Sequence, residues 1–274
     1  MKNFHILATV ILLFLALVAC NLTSQAPAAP AISTETPRAA VKPTVIPALP
    51  PTQTPLPLYQ TVTLGGNTVE DSGKAPVFTL KTVTPVLQGN NDPRVEKLNL
   101  LMAARVEQAE ELFRKDLANQ PATPISTGSF FSLNYALISP PGNLLSLQYH
   151  VEGYSDGAAH PYHLTSSFNY DLENGREISL DQLFLPGTDY LKTISDYCIA
   201  ELSKRDIGFE MFSDGAKPIP ENYTVWNISA DGLVITFNEY QVAAYAAGPQ
   251  VVVIPFAALK DIINLQGPLT TFKK

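Results

Sequence analysis

The pattern of apolar and polar positions predicts a folded part that begins near Tyr59 and is built mainly from strands. Alternating or β-branched runs predict strands at residues 60–64, 77–83, 128–138, 144–151, 168–172, 177–180, 222–229, 233–238 and 251–254. The last strand is apolar at every position, which predicts a central strand that is covered on both faces. Gly65-Gly66-Asn67 is predicted to end the first strand.

Apolar residues at helical spacing predict three helices between the strands, at residues 94–119, 189–205 and 255–263. Asn91-Asp92-Pro93 supplies a start for the longest helix, because an Asx residue caps it and proline suits its first position. Tight turns such as Asn174-Gly175 join most consecutive strands and favour antiparallel hairpins. The predicted fold class is therefore α+β, with antiparallel sheets built from hairpins and covered by about three helices.

The first 20 residues carry the pattern of an export signal. Lys2 provides a short positive start, an apolar run extends from Ile6 to Ala19, and the run ends at Cys20. This run is too short for a membrane-spanning helix, which needs about 20 apolar residues, and is typical of a signal peptide. Its ending resembles a bacterial lipobox, which implies lipid attachment at Cys20 and a membrane anchor. An ordinary secretory signal that happens to contain a cysteine is the alternative.

Residues 21–58 are predicted to be a disordered tether. Nine prolines lie between Pro27 and Pro57, interleaved with threonine, alanine and serine, so this segment cannot bury enough apolar surface to fold. The folded part is divided into an N-terminal α+β subdomain at 59–153 and a C-terminal α+β domain at 154–265.

The composition limits the classes of partner and the cysteine chemistry that we expect. The net charge is −7 with 16% charged residues and no basic run, which argues against nucleic acid as a partner. If Cys20 carries lipid, Cys198 has no cysteine partner within the chain. Cys198 shares a helical face with Ile194 and Leu202, which predicts a buried thiol rather than a reactive one.

The stretch from residue 153 to 184 is the densest in specified features. Its candidate ligand-binding residues are Tyr154, Asp156, His160 and Tyr162, because a loop with aromatic and ionisable side chains makes a suitable recognition surface. A loop shaped only by its glycines and proline is the simpler explanation, and the two roles are compatible.

Metal and hydrolytic chemistry are weaker hypotheses for this stretch. His160 and His163 are zinc-ligand types, but residues three apart on a strand point to opposite faces, so neither metal nor cofactor is predicted. Ser155, His160 and Asp171 are triad residue types, yet the sequence has no GxSxG motif. Paired carboxylates of a glycosidase could meet in space, but no pair stands out. The prediction is a protein that is not an enzyme, with a hydrolase or metal-dependent enzyme using His160 and nearby acids as the alternative.

GYSDGAAHPYHLTSSFNYDLENGREISLDQLF, residues 153–184, resembles the signature of the RsiV-like extracytoplasmic domain family. Residues 231–259 resemble the closing part of that pattern, and the match covers about residues 154–263. The family occurs in RsiV-type anti-sigma factors, where this region senses lysozyme, and beside the catalytic domain of PdaC-type peptidoglycan deacetylases. The resemblance implies an extracytoplasmic α+β module linked to the cell wall. Two departures fall in the loop: Asp156 stands where glycine is usual, and Ala158-Ala159 adds one residue.

We expect neither a sigma-binding segment before the signal peptide nor a deacetylase domain in this chain. The hypothesis is a lipid-anchored, non-catalytic binding or sensing module of the cell envelope, at the cell surface or in the periplasm. Its partners would be the membrane, through Cys20, and peptidoglycan or a lysozyme-like protein. A purely structural envelope lipoprotein is a further alternative.

Overall fold

The computed structural model describes residues 56–140 and 142–270, which belong to one compact unit, Gln53–Lys274. The predicted signal peptide, Cys20 and most of the predicted tether lie outside the described residues. The strands are β1 (Thr63–Lys74), β2 (Val77–Gln88), β3 (Ser129–Leu137), β4 (Leu144–Tyr154), β5 (Tyr162–Asp171), β6 (Arg176–Glu177), β7 (Trp226–Ile228), β8 (Gly232–Phe237) and β9 (Gln250–Pro255). The α-helices are α1 (Pro93–Leu117), α2 (Tyr190–Leu202) and α3 (Phe256–Leu259). No helix in this part of the chain is both long enough and apolar enough to cross a membrane.

Two sheets form the architecture. Strands β1 to β6 make one sheet in chain order, and β7 to β9 make a second. Every neighbouring pair is antiparallel except β2 and β3, which are parallel because α1 carries the chain across the sheet between them. The predicted α+β class with mainly antiparallel sheets is confirmed, whereas the parallel crossover was not predicted.

Helix α1 covers one face of the six-stranded sheet. Asp92 caps it as predicted, accepting a hydrogen bond of 2.8 Å from the backbone N–H of Arg94. The predicted apolar stripe is buried against the sheet and includes Leu98 and Met102, both fully buried. This burial is the main stabilising contribution of the helix.

Helix α2 covers the three-stranded sheet and builds a second hydrophobic cluster. Ile194, Cys198 and Leu202 are fully buried there, together with Ile235 and Phe237 of β8. The predicted burial of the Cys198 thiol is confirmed.

The boundary predicted at residues 153 and 154 falls inside β4. Strands β3, β4 and β5 pair continuously through this point, so residues 59–153 and 154–265 share one sheet. Leu58, assigned to the tether, is buried in the α1 cluster and starts a short 3-10 helix, Leu58–Gln60.

The glycine break predicted at residues 65–67 is wrong, because β1 continues through it. The Tyr135 hydroxyl on β3 donates a hydrogen bond of 2.7 Å to the Gly65 carbonyl. A Cβ at Gly66 would lie 3.2 Å from that hydroxyl oxygen and 2.8 Å from Val83. The glycines therefore make room for a side chain that crosses the sheet.

The C-terminal predictions also need correction. Strand β9 is an edge strand, and its outward residues Val251 and Val253 are exposed. Helix α3 spans Phe256–Leu259 rather than residues 255–263, because the following chain returns to β-like pairing. There the Leu185 N–H donates to the Ile262 carbonyl at 2.7 Å.

Two asparagine side chains close open stretches of strand edge. Asn99 of α1 binds both backbone polar groups of Leu87, at 2.8 and 3.0 Å. Asn238 binds both backbone polar groups of Thr165, at 2.7 and 2.9 Å. Each amide offers one donor and one acceptor and replaces a missing neighbouring strand.

The two sheets meet through a buried polar seam centred on Ser146 of β4. The Ser146 hydroxyl donates to Asn169 Oδ1 at 2.5 Å and accepts from Asn227 Nδ2 at 2.9 Å and from the Ile228 N–H at 3.1 Å. Asn169 Nδ2 donates to the Trp226 carbonyl at 2.8 Å. These bonds fix the three-stranded sheet on β4 and β5.

Truncating the α1 core should destabilise the protein selectively. We expect Leu98→Ala to lower the free energy of unfolding by about 2–5 kcal/mol, because the side chain is 0% exposed and its loss leaves a cavity. Leu100→Ala on the same helix, at 66% exposure, should change it by less than ~0.5 kcal/mol. Urea unfolding followed by circular dichroism measures both, and equal losses would contradict the packing described.

The Cys198 thiol should be inert in the folded protein. Burial raises the pKa of Cys198 to about 12, so little thiolate forms near neutral pH. In the fragment Gln53–Lys274, where it is the one cysteine, we expect alkylation near pH ~8 to be at least about 100-fold slower than in urea. Mass spectrometry follows the adduct, and rapid native labelling would show an accessible thiol instead.

Candidate functional site

The predicted loop residues do not converge on one surface. Tyr162 lies across Gly153, where a Cβ would come within 2.2 Å of its hydroxyl oxygen, and Gly153 pairs with Phe131 on the sheet face that α1 covers. Tyr154 is the next residue of β4 and points to the opposite face, where it stacks on Phe130 with 6.1 Å between ring centroids. The two tyrosines cannot contact one compact ligand together.

Asp156 is a buried structural anchor. Its carboxylate accepts hydrogen bonds from the backbone N–H groups of Ile125, Ser126 (3.0 Å) and Gly128 (3.1 Å), and its own N–H donates to Ser129 Oγ at 3.0 Å. Asp156, which stands where glycine is usual in the family pattern, therefore holds the segment that leads into β3. Asp156 offers no free group to an external ligand.

The triad residue types are held apart by separate partners. Ser155 Oγ donates to Asp116 Oδ2 at 2.7 Å, and the buried Asp171 carboxylate accepts from Asn174 in the following turn, at 2.6 and 3.0 Å. His160 contacts neither Ser155 nor Asp171, since its hydrogen-bonding atoms meet the Pro161 carbonyl and a tyrosine hydroxyl. The geometry does not support a hydrolase triad.

Four aromatic rings meet on the surface and form what we call the His–Tyr patch: His160, His163, Tyr240 and Tyr245. Tyr245 is central, with ring centroids 3.9 Å from His160, 6.4 Å from His163 and 5.8 Å from Tyr240. The expectation that the two histidines point apart is wrong, because His160 precedes β5 and both rings flank Tyr245. Of the predicted site residues, His160 alone belongs to this patch.

Two carboxylates border the patch through His163. His163 Nδ1 lies 2.8 Å from Glu239 Oε1, and its backbone N–H donates to Glu239 Oε2 at 3.3 Å. His163 Nε2 lies 3.7 Å from Glu152 Oε1. Within residues 56–140 and 142–270, no group of three or more His, Cys, Asp or Glu has the arrangement of a metal site.

Tyr240 has an unusual backbone conformation. Its φ of 65° is the single positive value of a non-glycine residue in the described chain, and 56% of the residue is exposed. For a bulky residue this conformation costs about 1–3 kcal/mol and requires support from neighbouring contacts. Asn238 and Glu239 supply that support through their bonds to Thr165 and His163 on β5.

Tyr245 is held as a neutral phenol. Its hydroxyl donates to the Pro161 carbonyl at 2.9 Å. Loss of hydration raises the pKa of Tyr245, and the negative charges of Glu239 and Glu152 raise it further. The Tyr245 ring is therefore an uncharged member of the patch.

Sequence reasoning missed Glu152, Glu239, Tyr240 and Tyr245 as site residues. Tyr240 and Tyr245 lie in residues 240–248, which the sequence predicts to be an alanine-rich turn or short helix. The available signal was a pair of tyrosines among small residues, which leaves aromatic rings uncovered.

The comparisons support the resemblance of this α+β fold, with its closing β7–β9 unit, to the RsiV-like domain family. Residues 181–257 match the model of the family described as "Protein of unknown function (DUF3298)". This range includes Glu239, Tyr240 and Tyr245 and begins after His160 and His163.

Named relatives share parts of the chain. It is 26% identical over 174 residues to the peptidoglycan-N-acetylmuramic acid deacetylase PdaC of Bacillus subtilis, covering 62% of this chain and 37% of PdaC. It is 28% identical over 107 residues to the immunogenic protein MPT64 of Mycobacterium tuberculosis, covering 39% of this chain and 47% of MPT64. The chain thus spans less than half the length of these relatives.

Two crystal structures of DUF3298 family proteins have the same fold. The protein from Bacteroides fragilis aligns with a TM-score of 0.58, and the protein from Pseudomonas aeruginosa aligns with a TM-score of 0.54. Each is 16% identical and covers 74% of this chain and 94% of its own. At this identity the likeness shows the fold alone.

The anchoring role of Asp156 is testable by stability. We expect Asp156→Ala to lower the free energy of unfolding by about 1–3 kcal/mol, because buried N–H groups lose their acceptor. Asp231→Ala removes an exposed carboxylate and should change the free energy by less than ~0.5 kcal/mol. Urea unfolding compares the two variants, and similar effects would show that Asp156 is not an anchor.

Proposed function

We propose that this chain is a lipid-anchored, extracytoplasmic module of the cell envelope that binds wall glycan through the His–Tyr patch without catalysis. The observation that carries the proposal is Tyr240, a residue that stays 56% exposed although its backbone conformation is costly. A tyrosine with a structural role would offset the free-energy cost of this conformation by burying its ring. An exposed ring held this way is suited to contact a ligand.

The chemistry of the patch fits a sugar. The faces of Tyr240 and Tyr245 are flat and apolar, and pyranose rings offer an apolar face for stacking. Glu152, Glu239 and His163 supply acceptors and donors beside the rings, and hydroxyl groups of a sugar can pair with both kinds. A few polar groups around an apolar surface are the usual composition of a binding site for small molecules.

Two observations support the location. The chain resembles a deacetylase whose name places its substrate in peptidoglycan. The lipobox-like ending at Cys20 would tether the folded unit to a membrane through residues 21–58.

The arrangement of the carboxylates favours binding over hydrolysis. Glycosidases hold two carboxyl groups about 5–10 Å apart with the scissile bond between them. Here the His163 ring occupies the space between Glu152 and Glu239, with one ring nitrogen toward each. His160 is committed to the Pro161 carbonyl and to stacking on Tyr245. We therefore propose a binding module rather than an enzyme that uses His160.

Binding to purified peptidoglycan tests the function. We expect Tyr240→Ala to weaken retention of the chain on insoluble sacculi by about tenfold, equivalent to ~1.4 kcal/mol, because the stacking face is lost. Met211→Ala is the control, since Met211 is 83% exposed and is not part of the patch. No retention of the wild-type chain would refute the proposal. Retention on immobilised lysozyme but not on sacculi would assign a protein partner instead.

Tyr240→Gly separates a binding role from a structural one. Glycine adopts a positive φ without strain, so we expect the free energy of unfolding to stay level or rise by up to ~1–2 kcal/mol while sacculus binding falls. Urea unfolding and sacculus retention are measured on the same preparation. A clear loss of stability would mean that the ring serves the fold.

A further inference from the structure

We propose that the ligand of the His–Tyr patch is glycan with free amino groups, meaning de-N-acetylated amino sugars rather than their N-acetylated forms. This inference rests on the proposed function and specifies the ligand class of the same site. It starts from the charges at the border of the patch, which stacking on neutral sugar does not require.

The patch carries negative charge that the protein does not neutralise. Glu239 is 9% exposed and Glu152 is 53% exposed, and among the ion pairs of the described chain both pair with His163 and with no lysine or arginine. Two carboxylates share one imidazole, so these three groups sum to −2 with neutral His163 and to −1 with protonated His163, and a protonated His160 would offset one further unit. While His160 is neutral, both protonation states of His163 leave an attraction for a cation.

The rings reinforce the attraction for a cation. The faces of tyrosine rings are electron-rich and attract ammonium groups that lie within about 6 Å. Tyr240 and Tyr245 lie 5.8 Å apart by ring centroid, with Glu239 adjacent to Tyr240 in the chain. An amino sugar brings an apolar ring face and an ammonium group on the same ring, which matches the two parts of the site. An N-acetyl group removes the positive charge and leaves the carboxylates without a counter-charge.

The surroundings favour a compact ring over a protein surface. The residues next to His160 and Tyr245 in the chain are small and exposed, namely Ala158, Ala159, Ala244 and Ala246. They leave the ring faces open without adding the apolar area that a stable protein interface needs, about 1,200–2,000 Å² in total. A lysine side chain shares the ammonium chemistry but lacks a flat apolar face for Tyr240.

The proposal also defines the reaction that supplies the ligand. Hydrolysis of the acetamido group breaks its C–N bond, the acetyl carbon takes the water oxygen and leaves as acetate, and the nitrogen takes both water protons and becomes ammonium. The site would therefore bind the product of amide hydrolysis on wall glycan. One relative of this chain is named as a deacetylase of that material.

The test compares two oligosaccharides on the full chain. The protein is purified in a zwitterionic detergent, which has no sugar head group, and titrated by calorimetry with glucosamine hexamer or N-acetylglucosamine hexamer near pH ~6, where amines are protonated. We expect the glucosamine hexamer to bind at least about tenfold tighter and to lose this advantage as salt is raised. Glu152→Gln and Glu239→Gln should each weaken it, while binding of the N-acetylated hexamer stays unchanged.

Glu107→Gln controls for the overall negative charge, because it removes one exposed carboxylate on the solvent side of α1. If Glu107→Gln weakens binding of the glucosamine hexamer as much as Glu152→Gln and Glu239→Gln do, the preference for this hexamer is a non-specific charge attraction and the inference is overturned. Equal or tighter binding of the N-acetylated hexamer would overturn the inference and leave the proposed function in place. Absence of binding to both hexamers and to sacculi would remove the proposed function itself. Binding of lysozyme alone would overturn both in favour of a protein partner.

Discussion

The architecture depends on a polar seam where its two sheets meet, beside the buried Leu144 of β4, which shares an apolar cluster with Ile228 and Leu233. The Ser146 hydroxyl uses its donor and both acceptor sites, and it links Asn169 of the six-stranded sheet to Asn227 of the three-stranded sheet. Removing one partner would leave buried groups unsatisfied, which costs more than the bond contributes. Hydrogen bonds also impose direction, so the seam fixes the angle at which the second sheet sits in a way that apolar packing would not.

The His–Tyr patch is a consequence of that fixed angle. Strand β5 contributes His163, the loop before it contributes His160, and the segment after β8 contributes Tyr240 and Tyr245. The sheets bring these segments together although His160 and Tyr240 are 80 positions apart in the chain. Three of the four rings lie outside the strands, and the contacts between the two sheets hold their segments against each other.

The local sequence pattern was sufficient to predict the elements that depend on residues close together in the chain. Helices α1 and α2 were predicted because their apolar faces repeat over several turns. Strand β9 was wrongly predicted to be central, because an apolar run does not reveal whether a second neighbouring strand exists. Strand β1 was predicted too short, because its glycines make room for Tyr135, whose hydroxyl binds a carbonyl 70 positions away in the chain. His160 was the one patch residue found, since its neighbours in space are remote in sequence. Asp156 was wrongly predicted to bind a ligand, because the sequence does not show that its carboxylate is buried and bonded to backbone N–H groups.

The two asparagines on the strand edges have a consequence for the behaviour of many copies together. An open strand edge is a template on which a second molecule can add a strand and begin an aggregate. Asn99 and Asn238 occupy the backbone groups of Leu87 and Thr165 that such a strand would need. Where many copies of the protein are crowded together, these two amides contribute to colloidal solubility as well as to the fold.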